Sequence, residues 1–439
     1  MKELKVALKI LNKTEFSSLS ERTKEARAAL LQIQRLLHQS HGDENLKGQE
    51  RLALDQLLHY SRAEESFLKQ KSRIRWIKEG DSNSSFFHHS LRARFNRNKI
   101  LSIVLDSGER TFDPTTIHAA VVEYFGTLFS SSSTFSIPVS SMDSFVNKAI
   151  SATQAASLIR PVTPDEVKEV IFHIKPDRAP GPDGYSTSFF QRACHIVGEC
   201  LTQVVLHFFN SGRLLKEINH TSITLVPKVP HPSSFDDFRP ISCCNLLYKC
   251  ISGIMAAILK SILPSLIDTA QSAFIPGRNM SCNIFIAQEV LRNYHRSDTQ
   301  SRCALKVDLH KAFDIVRWSF LLELLSKLGF PTRFIGWVCS CITTPKYSIN
   351  INGELVGFFG ATRGLRQGDP LSPYLFTIIM DALSMLIRKN IEEYRQAGTP
   401  FDYHWRCQKT ELTHLCFADD LLLFCGGSLG SVKILHKAL

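Results

Sequence analysis

An α+β chain is what the sequence predicts, and three observations predict it. Apolar residues recur at helical spacing in the charged stretch 19–70 and again after Ser372. Short apolar segments flank the turn sequences Asp106-Ser107-Gly108 and Asn352-Gly353, the pattern of β-hairpins. A third hairpin is written into two apolar runs, Leu412 to Cys416 and Leu421 to Phe424, whose tip carries the adjacent carboxylates Asp419 and Asp420. The 439 residues suffice for two or three domains and a substantial core. With 44% hydrophobic and 21% charged residues, the chain lies far from the composition of disordered proteins.

Taken in order, the 19–70 stretch places Ala26, Ala29, Leu30, Ile33 and Leu37, then Leu54, Leu57 and Leu58, on helical faces, and Gly42 to Gly48 breaks it into a helical hairpin. Residues 69–99 interleave basic side chains such as Arg73, Arg75, Arg92 and Arg94 with Trp76, Phe86, Phe87 and Phe95. That composition suits either a nucleic-acid contact, with bases stacking on the rings, or a solvated basic face over a small aromatic core. Ile100 to Phe112 reads as a hairpin and the Ser-rich 130–144 segment as a linker. Thr163-Pro164-Asp165-Glu166 starts a helix that runs to about Ile174. Pro and Gly pairs keep Asp177 to Gly184 irregular.

The strand Ala304 to Val307 delivers Asp308, and Phe313 to Leu328 is predicted helical, closed by Gly329 and Pro331. Asp314 is assigned to the start of that helix, and His310 and Lys311 to surface contacts. A strand ending in Asp308 beside a hairpin tipped with Asp419 and Asp420 would gather three carboxylates in one sheet. Ionised groups next to an apolar sheet repel one another and cost desolvation unless a multivalent cation compensates them. Carboxylates holding Mg²⁺ against phosphate oxygens are the equipment of two-metal phosphoryl transfer, so the residues point to nucleotidyl transfer. Between these elements, Arg363 to Pro373 forms a loop ending in Ser372 as N-cap and Pro373 at the first helical position. In it, Gly364 and Gly368 allow close backbone approach to a ligand, and Arg363, Arg366 and Gln367 offer donors to template or nucleotide.

The net charge of +11 suits a polyanionic partner through phosphate contacts. Twelve cysteines are scattered without a Cys-x-x-Cys or Cys/His knuckle spacing, which predicts reduced thiols and an intracellular, reducing compartment. No apolar run approaches the length of a transmembrane helix, so no membrane partner is expected.

Several segments, in this order and spacing, resemble the reverse transcriptase of LINE-type, non-LTR retrotransposons, particularly the plant lineage. They are Ala179 to Gly184, Leu225 to Lys228, Phe238 to Ser242, Gln271 to Arg278, Asp308 to Asp314, Arg363 to Pro373 and Phe417 to Asp420. The resemblance implies a right-hand polymerase with fingers and palm, a split βαβ palm core and an N-terminal helical extension. It divides the chain into a helical extension at 1–70, a basic and aromatic region with a hairpin at 71–150, fingers at 151–295 and palm at 296–439. Asp308, Asp419 and Asp420 are implied as catalytic metal ligands, Asp308 and Asp419 the direct ones. Phe313 matches the aromatic gate that excludes a 2′-hydroxyl, Gln367 and Gly368 the loop lining the nucleotide site, and Lys228 and Arg239 the residues gripping the triphosphate.

The implied function is RNA-directed DNA synthesis with two Mg²⁺ ions, or Mn²⁺, from deoxynucleoside triphosphates onto a DNA primer over an RNA template. The nucleus is the implied compartment. Only 19 residues follow Asp420, so a truncated palm without a thumb, exposing an unpaired strand, is expected. The alternative is an inactive, nucleic-acid-binding relic of such an element. A metal-dependent nuclease also uses paired carboxylates but leaves the Arg363 to Pro373 loop unexplained.

Overall fold

A computed structural model of the chain describes residues 2–40, 43–72, 93, 96–130, 142–294, 301–398 and 400–439. The basic and aromatic stretch at 69–99 and the Ser-rich 130–144 segment lie largely outside the described residues. Two compact units divide the chain, Met1–Lys99 and Ile100–Leu439.

In the first unit, helix α1 (Lys2–Glu15) precedes α2 (Leu19–Gln39) and α3 (Glu44–Ser72). Gln34 donates to Glu50 at 2.9 Å and Ser20 to Glu64, so α2 and α3 run antiparallel as a hairpin. Leu19, Ala26 and Leu30 of α2 and Ala53 of α3 are buried. The break falls between Gln39 and Glu44; Gly48 lies inside α3, where its missing side chain leaves open space.

The second unit holds the sheets. A short hairpin, β1 (Ile103–Val104) and β2 (Arg110–Thr111), leads into α4 (Pro114–Ser130). Strands β3 (Thr221–Pro227) and β4 (Phe238–Cys244) pair antiparallel, and β5 (Cys303–Asp308) belongs to a second sheet. The hairpin β6 (Tyr347–Ile351) and β7 (Glu354–Phe359) turns at Asn352 and Gly353, both with positive φ as such a turn requires. The first sheet has the order β4-β3-β6-β7, with β3 and β6 parallel. Beneath it, Ile117, Val121, Phe125 and Phe129, spaced four apart along α4, pack on Ile223, Leu225, Tyr347 and Ile349. Each such side chain contributes about 1.5–3 kcal/mol through burial.

The second sheet adds β8 (His414–Phe417) and β9 (Asp420–Cys425) in the order β5-β9-β8. Because β9 is antiparallel to both neighbours, β5 and β8 run parallel with β9 inserted between them, a split βαβ arrangement. Helix α5 (Met280–Leu291) covers this sheet through Val290, which packs with Leu415 and Phe424. The outer edge of β8 is taken up by Ala270 and Ser272, whose backbones exchange hydrogen bonds with Cys416 at 2.8 and 3.1 Å. Mixed helix and sheet is the α+β architecture that the sequence predicts.

Two helix boundaries differ from expectation. Helix α6 spans Trp318–Lys327 and does not begin at Phe313. Residues 309–315 turn instead, because the carbonyls of Phe313 and Val316 accept from Leu365 and Gly364, each at 2.7 Å, and so leave the helical ladder. Helix α7 (Ser372–Gln396) has Leu371 as its N-cap; the side chain that caps this start is Asp369, accepting from the Leu371 amide at 3.0 Å. Among the described residues no helix is long and apolar enough to cross a membrane, and all twelve cysteines are unpaired.

Candidate active site

In the β5–β9 register Asp308 stands opposite Asp420. Side chains directly opposite in an antiparallel pair share a face, and like charges there repel. The β8–β9 turn consists of Ala418 and Asp419, between the paired Phe417 and Asp420. All three aspartates are exposed, whereas Leu421, Leu423 and Phe424 just behind them are buried. The sequence expectation of desolvated carboxylates is therefore corrected: the hairpin buries its apolar run and holds its charged tip out of the core.

Asp308 and Asp419 line one cavity of about 500 Å³ together with Lys228, Arg239, Phe313, Gln367 and Gly368. Seven of the eight sequence-predicted site residues thus converge, from the β3–β4 connection, β4, β5, the 309–316 turn, the 363–371 loop and the β8–β9 tip; Asp420 stands outside the lining. The Phe313 ring is fixed by stacking on Phe376 of α7, with centroids 4.3 Å apart and planes 18° from parallel. Lys228 and Arg239 sit near each other on the β3–β4 hairpin, Arg239 opposite Val226, and Lys228 Nζ donates to the Asp236 carbonyl at 2.8 Å.

Asp314 does not serve the helix start. Its carboxyl, 4% exposed, accepts from Gln367 Nε2 at 3.2 and 3.3 Å, and burial pushes its pKa up to about 7 against the opposing pull of Gln367, Lys311 and Lys228. Arg366 is also corrected. Its guanidinium donates to Asn219 Oδ1 at 2.6 Å, Thr221 Oγ1 at 3.1 Å and the Cys341 carbonyl at 2.9 Å, and pairs with Asp369. Those buried partners commit both terminal nitrogens to the protein, while the side chain still forms part of the cavity wall. Arg363 Nε is likewise committed, to the Leu128 carbonyl at 2.8 Å. Both loop glycines approach protein closely: a Cβ at Gly364 would lie 2.7 Å from the Asp314 carbonyl, and one at Gly368, which also lines the cavity, 3.0 Å from that of Ser242.

Sequence reasoning missed one cluster on the cavity wall. Lys311 donates to Tyr124 and pairs with Asp236, both at 2.6 Å, while Tyr124 donates to Asp236 at 2.7 Å. The Lys311 contact holds Asp236 below the usual carboxylate range, and burial raises the Tyr124 phenol. Lys311 and Asp236 lie beside site motifs in sequence, but Tyr124 reaches them through the packing of α4 under the sheet, which no local pattern announces.

The donor set fits a hard divalent cation. The side chains of Asp308, Asp419 and Asp420 have no hydrogen-bond or ion-pair partner among the described residues, so their oxygens remain available. Among the described residues no three His, Cys, Asp or Glu side chains are gathered closely enough to hold a metal ion together, so the expected cluster of all three aspartates is not formed. Mg²⁺ is ordinarily held by one or two carboxylates completed by substrate phosphates, which Asp308 and Asp419 at an open cavity match.

Residues 226–438 match the family described as reverse transcriptase (RNA-dependent DNA polymerase). The chain is 27% identical over 327 residues, 73% of its length, to the transposon TX1 uncharacterized 149 kDa protein of Xenopus laevis, and covers 24% of that protein. It is 28% identical over 261 residues, 60% of its length, to the Pol polyprotein from the type-2 retrotransposable element R2DM of Drosophila melanogaster, of which it covers 23%. An uncharacterized mitochondrial protein of Arabidopsis thaliana is 44% identical over 70 residues, 16% of this chain and 54% of that one. The chain spans about a quarter of the length of the first two relatives. Residues 226–438 thus carry a reverse transcriptase domain similar to those of the TX1 transposon and R2 retrotransposable-element proteins.

Proposed function

We propose that this chain copies RNA into DNA, extending a DNA primer with deoxynucleoside triphosphates at the cavity between β5, the β8–β9 tip and the 363–371 loop. The observation that carries the reading is the convergence of Asp308 and Asp419 with Phe313, Gln367, Gly368, Lys228 and Arg239 on one cavity. Asp308 and Asp419 would be the direct ligands of two divalent cations, with Asp420 supporting them. Bound cations of this kind lower the barrier by activating the primer 3′-hydroxyl and neutralising charge on the leaving pyrophosphate. Lys228 and Arg239 supply positive charge for the triphosphate. Phe313, braced by Phe376, limits the room beside the sugar and so selects a deoxyribose. Gln367 and Gly368 shape the floor on which the incoming base and sugar rest. The 44% identity to the Arabidopsis protein supports placing the element in the plant lineage.

Primer extension on an RNA template with Mg²⁺ and deoxynucleotides tests this. Extension by the chain that falls by roughly a thousandfold in Asp308→Ala and in Asp419→Asn, with RNA affinity nearly unchanged in both, is the expected result. Variants that copy the template as well as the parent would remove the metal assignment. Binding of RNA without extension by the parent would favour the inactive relic.

A further inference from the structure

Gln271 is almost completely buried, 1% exposed, yet it lies on no strand or helix. Its side-chain oxygen accepts from the backbone N–H of Ala418 at 3.2 Å and of Ala273 at 2.9 Å, while its amide nitrogen donates to the Ala418 carbonyl at 3.5 Å. One amide therefore engages both backbone groups of the residue immediately before Asp419. Ala418 needs such support, because its φ of 57° puts an alanine in the left-handed region that L-residues with a Cβ disfavour.

The element that carries Gln271 is itself immobilised. Gln271 bridges Cys416 of β8, and the Cys416 carbonyl also accepts from the Asn283 side chain at 3.0 Å. The Arg278 guanidinium, held among the carbonyls of Pro264, Ile267, Asp268 and Gln271, closes the 264–278 loop on itself. Loop and hairpin are thus hydrogen-bonded together, and the Gln271 amide makes the only side-chain hydrogen bonds to the Ala418 backbone among the described residues.

We propose that Gln271 is a positioning residue that locks Ala418 in its left-handed conformation and so fixes the direction in which Asp419 enters the cavity. The role in metal binding rests on the function proposed above; the clamp on the turn does not. A group that orients a metal ligand in this way typically changes metal affinity by ten- to a hundredfold when removed.

The test uses the full chain and Mn²⁺ as probe, titrated and followed by water-proton relaxation, with hydrogen exchange of residues 412–425 and thermal unfolding measured in parallel. Gln271→Met keeps the side-chain volume and removes the amide. The expected result is a folded variant that binds Mn²⁺ about ten- to a hundredfold more weakly and exchanges faster at the turn. Adding Ala418→Gly, which adopts positive φ freely, should then recover part of the affinity. A purely structural Gln271 would lower the unfolding temperature without moving Mn²⁺ affinity or turn exchange, and that result overturns the proposal. Gln271→Asn, which withdraws the amide by one methylene, decides the matter should Gln271→Met not fold. Asp419→Asn separates the two claims: unchanged Mn²⁺ binding there overturns the metal assignment, whereas turn exchange in Gln271→Met still decides the clamp.

Discussion

Gln367 donates to both carboxyl oxygens of Asp314, at 3.2 and 3.3 Å, at the wall of the cavity that Asp308 and Asp419 also line. Burial of Asp314 sets its folded-state pKa at about 7, against 3.8 as its ordinary value. Between those values the unfolded chain releases a proton that the folded chain retains, so stability falls as pH rises through that window and levels off above it. Asp314→Asn keeps the shape and abolishes the titration. Its stability relative to the parent should therefore increase from about pH 4 to about pH 7, by on the order of a few kcal/mol at most. Urea unfolding of both proteins across the window checks this, and a constant difference would refute it. Taking the difference cancels His414, whose pKa burial lowers to about 4 and whose contribution has the opposite sign.

Gly368 holds the backbone of the nucleotide-site loop at φ 109°, and the adjoining Gln367 carbonyl accepts from the Ser242 amide at 2.8 Å. Alanine there meets both an unfavourable φ and the Ser242 carbonyl. We expect Gly368→Ala to cost about 1–2 kcal/mol and to raise the KM for deoxynucleotides by displacing Gln367. Gly364→Ala, at φ 95° and tighter against the Asp314 backbone, should cost more stability. Thermal melts and single-nucleotide kinetics on both variants separate these effects; a Gly368→Ala protein with parental KM would show that the loop adjusts without moving Gln367.

How much of this was legible in the sequence depended on range. Turns and caps were readable because their causes are local. Asn352-Gly353 turns as its residue types require, and Thr163 and Glu166 form the reciprocal cap expected of them. The strand that ends in Asp308 and the hairpin tipped by Asp419 also followed from apolar runs of strand length. What stayed hidden was pairing across long separations. Arg366 has the composition of a substrate donor, and nothing local reveals that Asn219, Thr221 and Cys341 consume it. The Phe313 segment has helical periodicity, but the 363–371 loop takes its carbonyls and delays the helix to Trp318.

Phe313 lies against Phe376 with ring centroids 4.3 Å apart, so its ring has little freedom to swing away from a bulkier sugar. If it selects deoxyribose, Phe313→Val should raise ribonucleotide incorporation relative to deoxynucleotide incorporation by roughly ten- to a hundredfold, with deoxynucleotide use less affected. The ratio of kcat/KM for matched ribo- and deoxynucleotides measures it. An unchanged ratio would assign sugar selection elsewhere.

Arg366 and Asp369 form a buried ion pair at 3.4 Å, and each has further partners: Arg366 lies over the Tyr248 ring at 3.8 Å, and the Tyr248 hydroxyl donates to Asp369. Removing one member leaves the other charge buried and underpaired, which costs about 3–5 kcal/mol. Arg366→Met should therefore unfold at markedly lower denaturant. Arg366→Lys should recover little, since a single ammonium cannot reach Asn219, Thr221 and the Cys341 carbonyl together. Pairing Arg366→Met with Asp369→Leu removes the stranded carboxylate and should restore part of the loss. The folded fraction of Arg366→Met should bind RNA with parental affinity, because both terminal nitrogens of this guanidinium are held by buried protein partners. Weaker RNA binding at parental stability would instead return Arg366 to the template-facing role that its sequence position suggests.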